Sequence, residues 1–410
     1  MMSMKKTNNQ YETIIIGGGA AGLAAAYGSL KAGRKTAVLE RNDRPGKKLL
    51  ITGKGRCNIT NAADISDFIA NVPVNSSFLY SAFYTFTNDN LVKLLNDNGL
   101  ETKVERGQRV FPKSDKSSDV LKTLLKITSG ADFYLHTRVK SIITEGGSAV
   151  GVKTYDNSEM YADKVIIATG GMSYRATGSS GDGYKLASYL GHTVVKPTPS
   201  LVPLETTEVY DLMGLSLKNV AVKIKNKNGK IIYEDFGEMV FTHFGVSGPV
   251  ILSASSHIRK IDGHTLSIDL KPALSEKQLD ARILRDFEEF SRKNLSNSLD
   301  ELLPKKIIPV VIKLSGIPPE TKTHQITRQQ RQELLDAIKN FELHLKGMRP
   351  IDEAIITSGG IKVSEINPST MESKLVKNLY FAGEVIDVDA YTGGFNLQIA
   401  FSTGFLSGNS

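Results

Sequence analysis

The 410-residue sequence predicts an α/β fold, with a parallel sheet assembled from both ends of the chain and a β-rich insertion between them. Three observations predict it. A buried strand, a glycine turn, a helix and a second strand follow one another across residues 13–40 (TIIIGGGAAGLAAAYGSLKAGRKTAVLE). The same style returns at 379–384 (LYFAGE), which leads through another glycine turn into a closing helix. Between the two, composition shifts after His192: three prolines fall within 197–203, and alternating strand patterns follow.

The first segment answers the demands of a dinucleotide. The apolar run Thr13–Ile16 suits a strand covered on both faces. Gly17 allows a tight turn, Gly19 lets the backbone approach a pyrophosphate, and Gly22 lets helix and strand pack closely. With Ala20 and Ala21 they open a helix whose free N–H groups and positive dipole end favour phosphate. Ala26 and Gly33 hold further spacings of the longer fingerprint. Glu40 ends the second strand, where a carboxylate accepts from the adenosine ribose hydroxyls and disfavours a 2′-phosphate. The pattern is a Rossmann-type nucleotide site.

After Arg41, counted with the cofactor-binding cations, comes a glycine- and cation-rich stretch. Lys47, Lys48 and Arg56 can neutralise a pyrophosphate or a substrate carboxylate. Thr52, Gly53, Gly55, Cys57 and Asn58 complete a loop whose glycines admit a flat ring or a phosphate. Helical spacing then predicts two helices within 76–98 and one over 117–128. Residues 133–164 read as strands and hairpins, with turns at 145–147 and 156–158. Lys164–Ala168 is again a buried strand and delivers Thr169, Gly170 and Gly171.

The domain reading is 1–193 with 350–410 for the nucleotide domain and 194–349 for the insertion, with a helical subdomain at about 275–345. Within the insertion, 220–234 reads as a hairpin around Asn228-Gly229. Gly248-Pro249 starts a helix. Ser275 and Gln278 form a capping box, and a further helix covers 327–341.

The closing segment points to FAD. Gly383-Glu384 fills the place where FAD enzymes with two dinucleotide-binding folds carry Gly-Asp, whose carboxylate binds the ribityl chain. Gly393, Gly394, Phe395 and Asn396 open a helix aimed at the pyrimidine edge of the flavin. A helix N-terminus there stabilises the negative charge of the reduced ring. Gly178–Gly183 has its glycines in another order and follows no long strand, so NAD(P)H is expected only as a transient co-substrate. His243, in FTHFG, and Tyr391, beside the flavin-side glycines, are the candidate acid–base residues, with Arg56 as a third catalytic candidate. Arg109, in QRVFP, is a candidate anchor for an anionic substrate.

Composition removes several alternatives. A single cysteine, Cys57, excludes an intramolecular disulfide and a dithiol pair. The seven histidines show no zinc spacing, so no metal site is expected. The net charge of +8 reads as a lysine-rich solvated surface. No arginine-rich stripe with interleaved aromatics marks a nucleic-acid partner, and the expected partner is a small-molecule substrate. No apolar run approaches the ~20 residues that span a bilayer. The opening MMSMKKTNNQYE has no apolar signal region, so a cytoplasmic location is expected.

IIIGGGAAGL, TGKGRCNITN, FTHFGVSGP, TSGGI and GEVIDVDAYTGGFN lie in order from Ile14 to Asn396. Together they resemble the bacterial aminoacetone-oxidase-like, NAD(P)/FAD-dependent oxidoreductase family, which includes flavoenzymes that reduce bile-acid enones. The resemblance implies a glutathione-reductase-like, three-layer FAD-binding domain. It also implies an inserted β-barrel-like domain carrying a helical subdomain, and non-covalent FAD. It assigns Gly17, Gly19 and Gly22 to the phosphate turn, Glu40 to the ribose, and 53–58 to the flavin side. Val139 falls where backbone contacts adenine, and Glu384, Gly393, Gly394 and Asn396 fall at the ribityl and pyrimidine contacts. Lys54 departs from the glycine or asparagine common in the family and changes the charge near the flavin. The implied activity is hydride transfer between flavin N5 and a small organic substrate, with NAD(P)H or oxygen completing the cycle. A reductase or dehydrogenase, an amine-oxidase-like enzyme, an FAD-dependent RNA-modifying enzyme and a non-catalytic flavin-binding protein all stay open.

Overall fold

The structure is a computed structural model that describes residues 11–208, 210–258 and 260–410. The basic N-terminal stretch read above lies outside the described residues, except for Tyr11 and Glu12. The chain forms two compact units: residues up to Ser200 together with Pro350–Ser410, and Leu201–Arg349.

In the first unit, β1 (Tyr11–Ile16) pairs in parallel with β2 (Thr36–Leu39), and a short antiparallel sheet is built from β3 (Thr60–Asn61), β4 (Thr102–Glu105) and β5 (Arg109–Pro112). The main sheet continues with β6 (Asp132–Tyr134), β7 (Val139–Glu145), β8 (Ser148–Thr154) and β9 (Glu159–Ile167). Its order is β6-β2-β1-β9-β8-β7. The strand β9 does two jobs: residues 159–161 pair antiparallel with β8, while 162–167 run parallel to β1. The first strand of the segment 133–164 is divided in two. Phe133 and Tyr134 belong to β6, parallel to β2, and His136 then turns the chain at φ 54 before β7. Outside this sheet, β10 (Val194–Ser200) pairs antiparallel with a strand from the returning chain. The sequence reading drew its boundary at 193; β10 lies in the first unit.

The second unit is a closed barrel. Its strands are β11 (Leu204–Thr206), β12 (Ser216–Lys225), β13 (Ile231–Phe241), β14 (Gly245–Ser247), β15 (Thr265–Asp269) and β16 (Phe341–Met348), in the order β11-β14-β13-β12-β15-β16. Pairing of β16 with β11 closes it. The β12–β13 hairpin turns at Gly229 with φ 75, and Asn226 Oδ1 accepts from Asn228 N and Lys230 N. Between β15 and β16 run the helices Glu276–Glu289, Ile308–Ser315 and Arg328–Lys339. The box at Ser275 forms: Ser275 Oγ accepts from Gln278 N and Gln278 Oε1 accepts from Ser275 N. The helical part stops earlier than 345. Phe341, Leu343 and Leu345 alternate with exposed residues and form the inner face of β16, a period of two that belongs to the barrel wall.

The chain then returns to the first unit through β17 (Ile356–Ile361), partner of β10, and β18 (Leu379–Phe381), which adds in parallel to β9. The sheet is thus assembled from both ends of the chain. The closing helix Phe395–Asn409 lies against the nucleotide helix Ala20–Lys31, backbone on backbone. A Cβ added at Gly404 would stand 2.3 Å from Ala21 O, one at Gly408 would stand 2.0 Å from Ala25 O, and one at Gly28 would stand 2.5 Å from Phe405 O. Cations meet the last turn of the closing helix. Arg34 donates to Gly408 O at 2.7 Å, and Lys164 Nζ donates to Ser407 O at 3.1 Å. These bonds satisfy carbonyls that a helix end leaves unpaired. Burial, and then Arg34 nearby, push the Lys164 ammonium down to about 7.

Alanine is a better helix former than glycine by about 1 kcal/mol, so propensity alone predicts that Gly404→Ala stabilises. The close approach predicts the reverse. Gly404→Ala and Gly408→Ala are each expected to lower stability by about 1–3 kcal/mol through overpacking. Thermal unfolding of the two variants checks this, and a raised midpoint for either one contradicts the packing described.

Candidate functional site

The strands β1 and β9 end side by side, and the glycine turn sits on them so closely that a Cβ at Gly17 would stand 2.5 Å from Ala168 O. Gly22 packs back against the turn, where a Cβ would meet Gly17 O at 1.8 Å. Gly19 differs: nothing lies within 4 Å of the position its Cβ would take. The nucleotide helix begins there with no side-chain cap and no acidic residue in its first turn, and Ala20 and Ala21 lie in that turn. Backbone is therefore free to face a phosphate. Glu40 is buried beside this turn. Its Oε2 accepts from Gly18 N at 2.9 Å, and its Oε1 accepts from Asn42 N and Nδ2 at 2.8 and 2.7 Å. The rim is closed by Arg41, whose guanidinium donates to Ser180 and Asp182, with Arg138 on the same carboxylate at 2.8 Å. Val139, the next residue, begins β7 and is buried.

Lys48 and Lys47 divide their work. Lys47 pairs with Asp43 at 2.7 Å, toward the surface. Lys48 donates to Glu384 Oε2 at 2.6 Å and to Ser173 Oγ at 2.7 Å. Glu384 Oε1 in turn accepts from Thr357 N at 2.8 Å and Ser173 Oγ at 3.1 Å. Three segments far apart in sequence therefore converge on one carboxylate. Thr169, Gly170 and Gly171 approach it from the end of β9, and a Cβ at Gly171 would lie 2.9 Å from Glu384 Oε1. Gly383 makes the turn before it at φ 74, and its N–H donates to Thr403 Oγ1.

The loop Thr52–Gly55 folds through left-handed conformations at Gly53 and Lys54. Thr52 Oγ1 caps the preceding short helix at Leu49 O. Cys57 is fully buried, and burial pushes its thiol up to about 12. Such a thiol is inert as a nucleophile at neutral pH. Arg56 does not serve as a free cation. It lies over the Phe111 ring at 4.2 Å and is tied to Glu105 and Asp115, so its charge is already met. Its expected part in catalysis and phosphate binding has no support in this geometry.

At the closing helix, Gly394 sits at φ 100 with Thr60 O 2.3 Å from where its Cβ would be, so any side chain is excluded. Phe395 is buried against Phe68. No side chain caps this helix and no acid occupies its first turn. The Asn396 amide is used within the protein, accepting from Ala390 N at 2.9 Å and donating to Ala390 O at 2.6 Å. Its side chain shapes the turn, and its backbone is what the helix start presents. Tyr391 is half-buried on that turn, its N–H bonded to Asn71 O. His243 belongs to the other unit, exposed on the tight turn between β13 and β14, its ring edge-on to Phe244.

Two buried polar atoms among the described residues have no partner, Asn58 Oδ1 and Thr169 Oγ1. Asn58 belongs to the loop assigned to the flavin side, and Thr169 follows the strand β9 that ends beside the glycine turn. Orphaned buried acceptors are rare and call for a ligand or a water. With an open Gly19, two uncapped helix starts and a buried Glu40, the residues present fit an FAD.

Sequence reasoning missed Asp389 and its partners. Asp389 is buried, accepting from Ser200 Oγ and Ser358 Oγ at 2.9 Å each. Burial, opposed by these two bonds and aided by Asp387 and Glu384, raises its carboxyl to about 6. Its signal was the second acid of DVDA, which a composition reading takes as turn polarity. Thr357, which accepts from Met172 N at 2.8 Å, was visible only as part of TSGGI.

Comparison with known proteins adds the following. The chain matches the family described as HI0933-like protein Rossmann domain over residues 11–410. It is 30% identical over 403 residues to the 3-dehydro-bile acid delta(4,6)-reductase of Clostridium scindens, covering 97% of this chain and 98% of that one. It is also 30% identical over 402 residues to the ribosomal RNA dihydrouridine synthase of Escherichia coli, covering 96% of each. Among solved structures, the 3-ketosteroid-delta4-(5alpha)-dehydrogenase of Rhodococcus jostii RHA1 aligns with a TM-score of 0.50 at 14% identity, covering 100% of this chain and 98% of that one. A quinol-fumarate reductase aligns with a TM-score of 0.51 at 18% identity, covering 98% and 70%. At these identities the structural likeness concerns the fold.

Two expectations follow from the site. Asp389 binds its proton more tightly folded than unfolded, so folding stability falls as pH rises from about 4 to about 6. Asp389→Asn should remove that contribution, so the difference in unfolding free energy between variant and wild type changes across this window and is flat above it. Denaturant titrations at a series of pH values check the sign. Cys57, the single thiol, should stay unmodified by a thiol reagent in the native protein at pH ~8 and give one equivalent after unfolding. Rapid native labelling would contradict its burial.

Proposed function

The chain belongs to the HI0933-like Rossmann-domain family of FAD proteins and is an FAD-dependent oxidoreductase, and we propose that it is a reductase of carbon–carbon double bonds conjugated to a carbonyl. The observation that carries the proposal is the full-length likeness to two enzymes whose reactions share that chemistry. A dienone next to a ring ketone and a uracil ring next to its carbonyl both present an electron-poor β-carbon to a hydride. The flavin supplies hydride transfer when bound; the remaining demands fall on the chain.

Those demands are binding, charge stabilisation and a proton. Gly17, Gly19, Gly22 and Glu40 would hold the nucleotide end, and Glu384, itself positioned by Lys48, would hold the ribityl end. The start of the closing helix at Gly394, uncapped, would favour negative charge at the pyrimidine edge. Attachment would be non-covalent, since Cys57 is buried with its thiol at about 12. A proton must reach the α-carbon of the substrate. Tyr391 is the candidate donor on the first unit, and His243 is the candidate on the second. Asp389, with its carboxyl raised to about 6, can hold a proton two residues from Tyr391 in the chain. With one cysteine no dithiol relay is available, which favours direct reduction by NAD(P)H.

Reduction of a uracil within ribosomal RNA is the second reading. It is favoured by the dihydrouridine synthase relatives and by the net charge of +8.

Anaerobic stopped-flow absorbance with NADPH and NADH, followed by a cyclic enone or by unmodified ribosomal RNA, tests both readings. Bleaching of the flavin band by a nicotinamide and its recovery on adding enone is the expected result. Recovery only with RNA selects the second reading. A flavin that no nicotinamide reduces contradicts the nicotinamide-linked reductase, and peroxide formation from an amine would replace it with an oxidase.

A further inference from the structure

Three cations near the flavin-side glycines carry no ion pair among the described residues: Lys54, Arg106 and Arg109. Their neighbours do. Arg56 and Lys103 share Glu105 and Asp115, and Lys113 takes Glu101. The local carboxylates are thereby used, and the charge left over is on the exposed residues Lys54, Arg106 and Arg109.

These residues are held in place by the fold. In the β3–β5 pair Asn61 stands opposite Arg109. The Asn61 amide donates to Gly107 O and to Gly393 O, at 3.0 Å each. One side chain therefore ties the arginine loop to the turn that starts the closing helix. Ala62 N donates to Gln108 O at 2.7 Å and fixes the loop a second time. The loop passes through left-handed conformations at Gly107 and Gln108. Arg109 Nε donates to Arg106 O at 3.0 Å, which orients the guanidinium and leaves donors on its two terminal nitrogens. Phe111 lies beneath, with the Arg109 guanidinium carbon 5.8 Å from its ring. The Lys54 loop rests on the same ring, since a Cβ at Gly53 would lie 3.4 Å from Phe111 Cε1.

We infer that Arg106 and Arg109, with Lys54 beside them, form the anchor for a carboxylate on the substrate, and that the natural substrate is an anionic unsaturated carbonyl compound. The inference rests on the reductase reading for the reaction but on the arginine loop for the anion. Two guanidinium groups match a planar carboxylate by paired N–H donors. The patch is three cations wide, which suits one oxyanion better than the run of phosphates along a nucleic-acid backbone.

The test separates binding from turnover. Cyclohexanone carboxylate and its methyl ester, neither of which holds a reducible double bond, are titrated into the FAD-loaded protein by calorimetry. Wild type is expected to prefer the acid to the ester. That preference should fall about tenfold in Arg109→Gln and again in Arg106→Gln, the loss expected for one charged hydrogen-bonding partner. Arg109→Lys should recover part of it, because charge returns without the fork. Flavin content and unfolding midpoint establish that each variant is folded, and either arginine serves if the other variant fails. Equal binding of acid and ester by wild type overturns the anchor, as does an unchanged preference in both variants. RNA affinity whose salt slope drops by about 1 per arginine, with the acid preference untouched, overturns it in favour of a phosphate track. If acid preference holds while the matching cyclohexenone carboxylate is never reduced, the anchor stands and the reductase reading fails.

Discussion

The nucleotide helix and the closing helix meet through glycine and alanine backbone, and the geometry of the candidate site depends on that contact. Gly404, Gly408 and Gly28 leave no room for a side chain between them. The two uncapped helix starts, at Gly19 and Gly394, belong to these same two helices. A shift of one helix against the other would move the phosphate end of the site relative to the flavin end. Arg34 and Lys164 reinforce the contact from the far side by bonding the last carbonyls of the closing helix. Close backbone packing and direct polar contact thus hold together segments nearly the whole chain apart.

Charge is distributed around these segments by a second constraint, that buried ionic groups be paired or hydrogen-bonded. Glu40 is met by three N–H donors, and Glu384 by Lys48, Ser173 and Thr357. Asp389 accepts from two serine hydroxyls and no cation among the described residues, so burial prevails and its carboxyl rises. Arg56 shows the same rule from the cationic side. Its place in a glycine-rich loop made it look available, yet two carboxylates brought by β4 and the loop after β5 claim it. A lone cation in a sequence window says little about its charge state of affairs when its partners lie some fifty residues downstream.

Legibility followed the range of the interactions. The turn at Gly17 and the fingerprint through Glu40 were readable because each demand is met within the segment itself. The capping box at Ser275 and the hairpin at Gly229 were readable for the same reason. The strand β16 was legible in principle, since Phe341, Leu343 and Leu345 alternate strictly. It was absorbed into the helical stretch because the helix Arg328–Lys339 ends directly before it. The burial of Asp389 was not legible from DVDA: it depends on Ser200 and Ser358, which approach it only when β10 pairs with β17.

By itself the sequence determined the kind of site: two glycine turns, two helix starts and a ribose-side carboxylate at spacings that local backbone geometry translates directly into a dinucleotide cradle. It also pointed to a β-rich insertion between the two halves of the chain that carry these motifs, because composition shifts after His192. Tertiary structure decided which charges remain available. Arg56 and Lys48 are consumed while Arg106 and Arg109 are left without carboxylates among the described residues, and Asn396 is turned inward onto Ala390. The reason is physical: backbone conformation is set by a few neighbouring residues, whereas the state of a charge is set by every group within a few ångströms, and folding alone determines those groups.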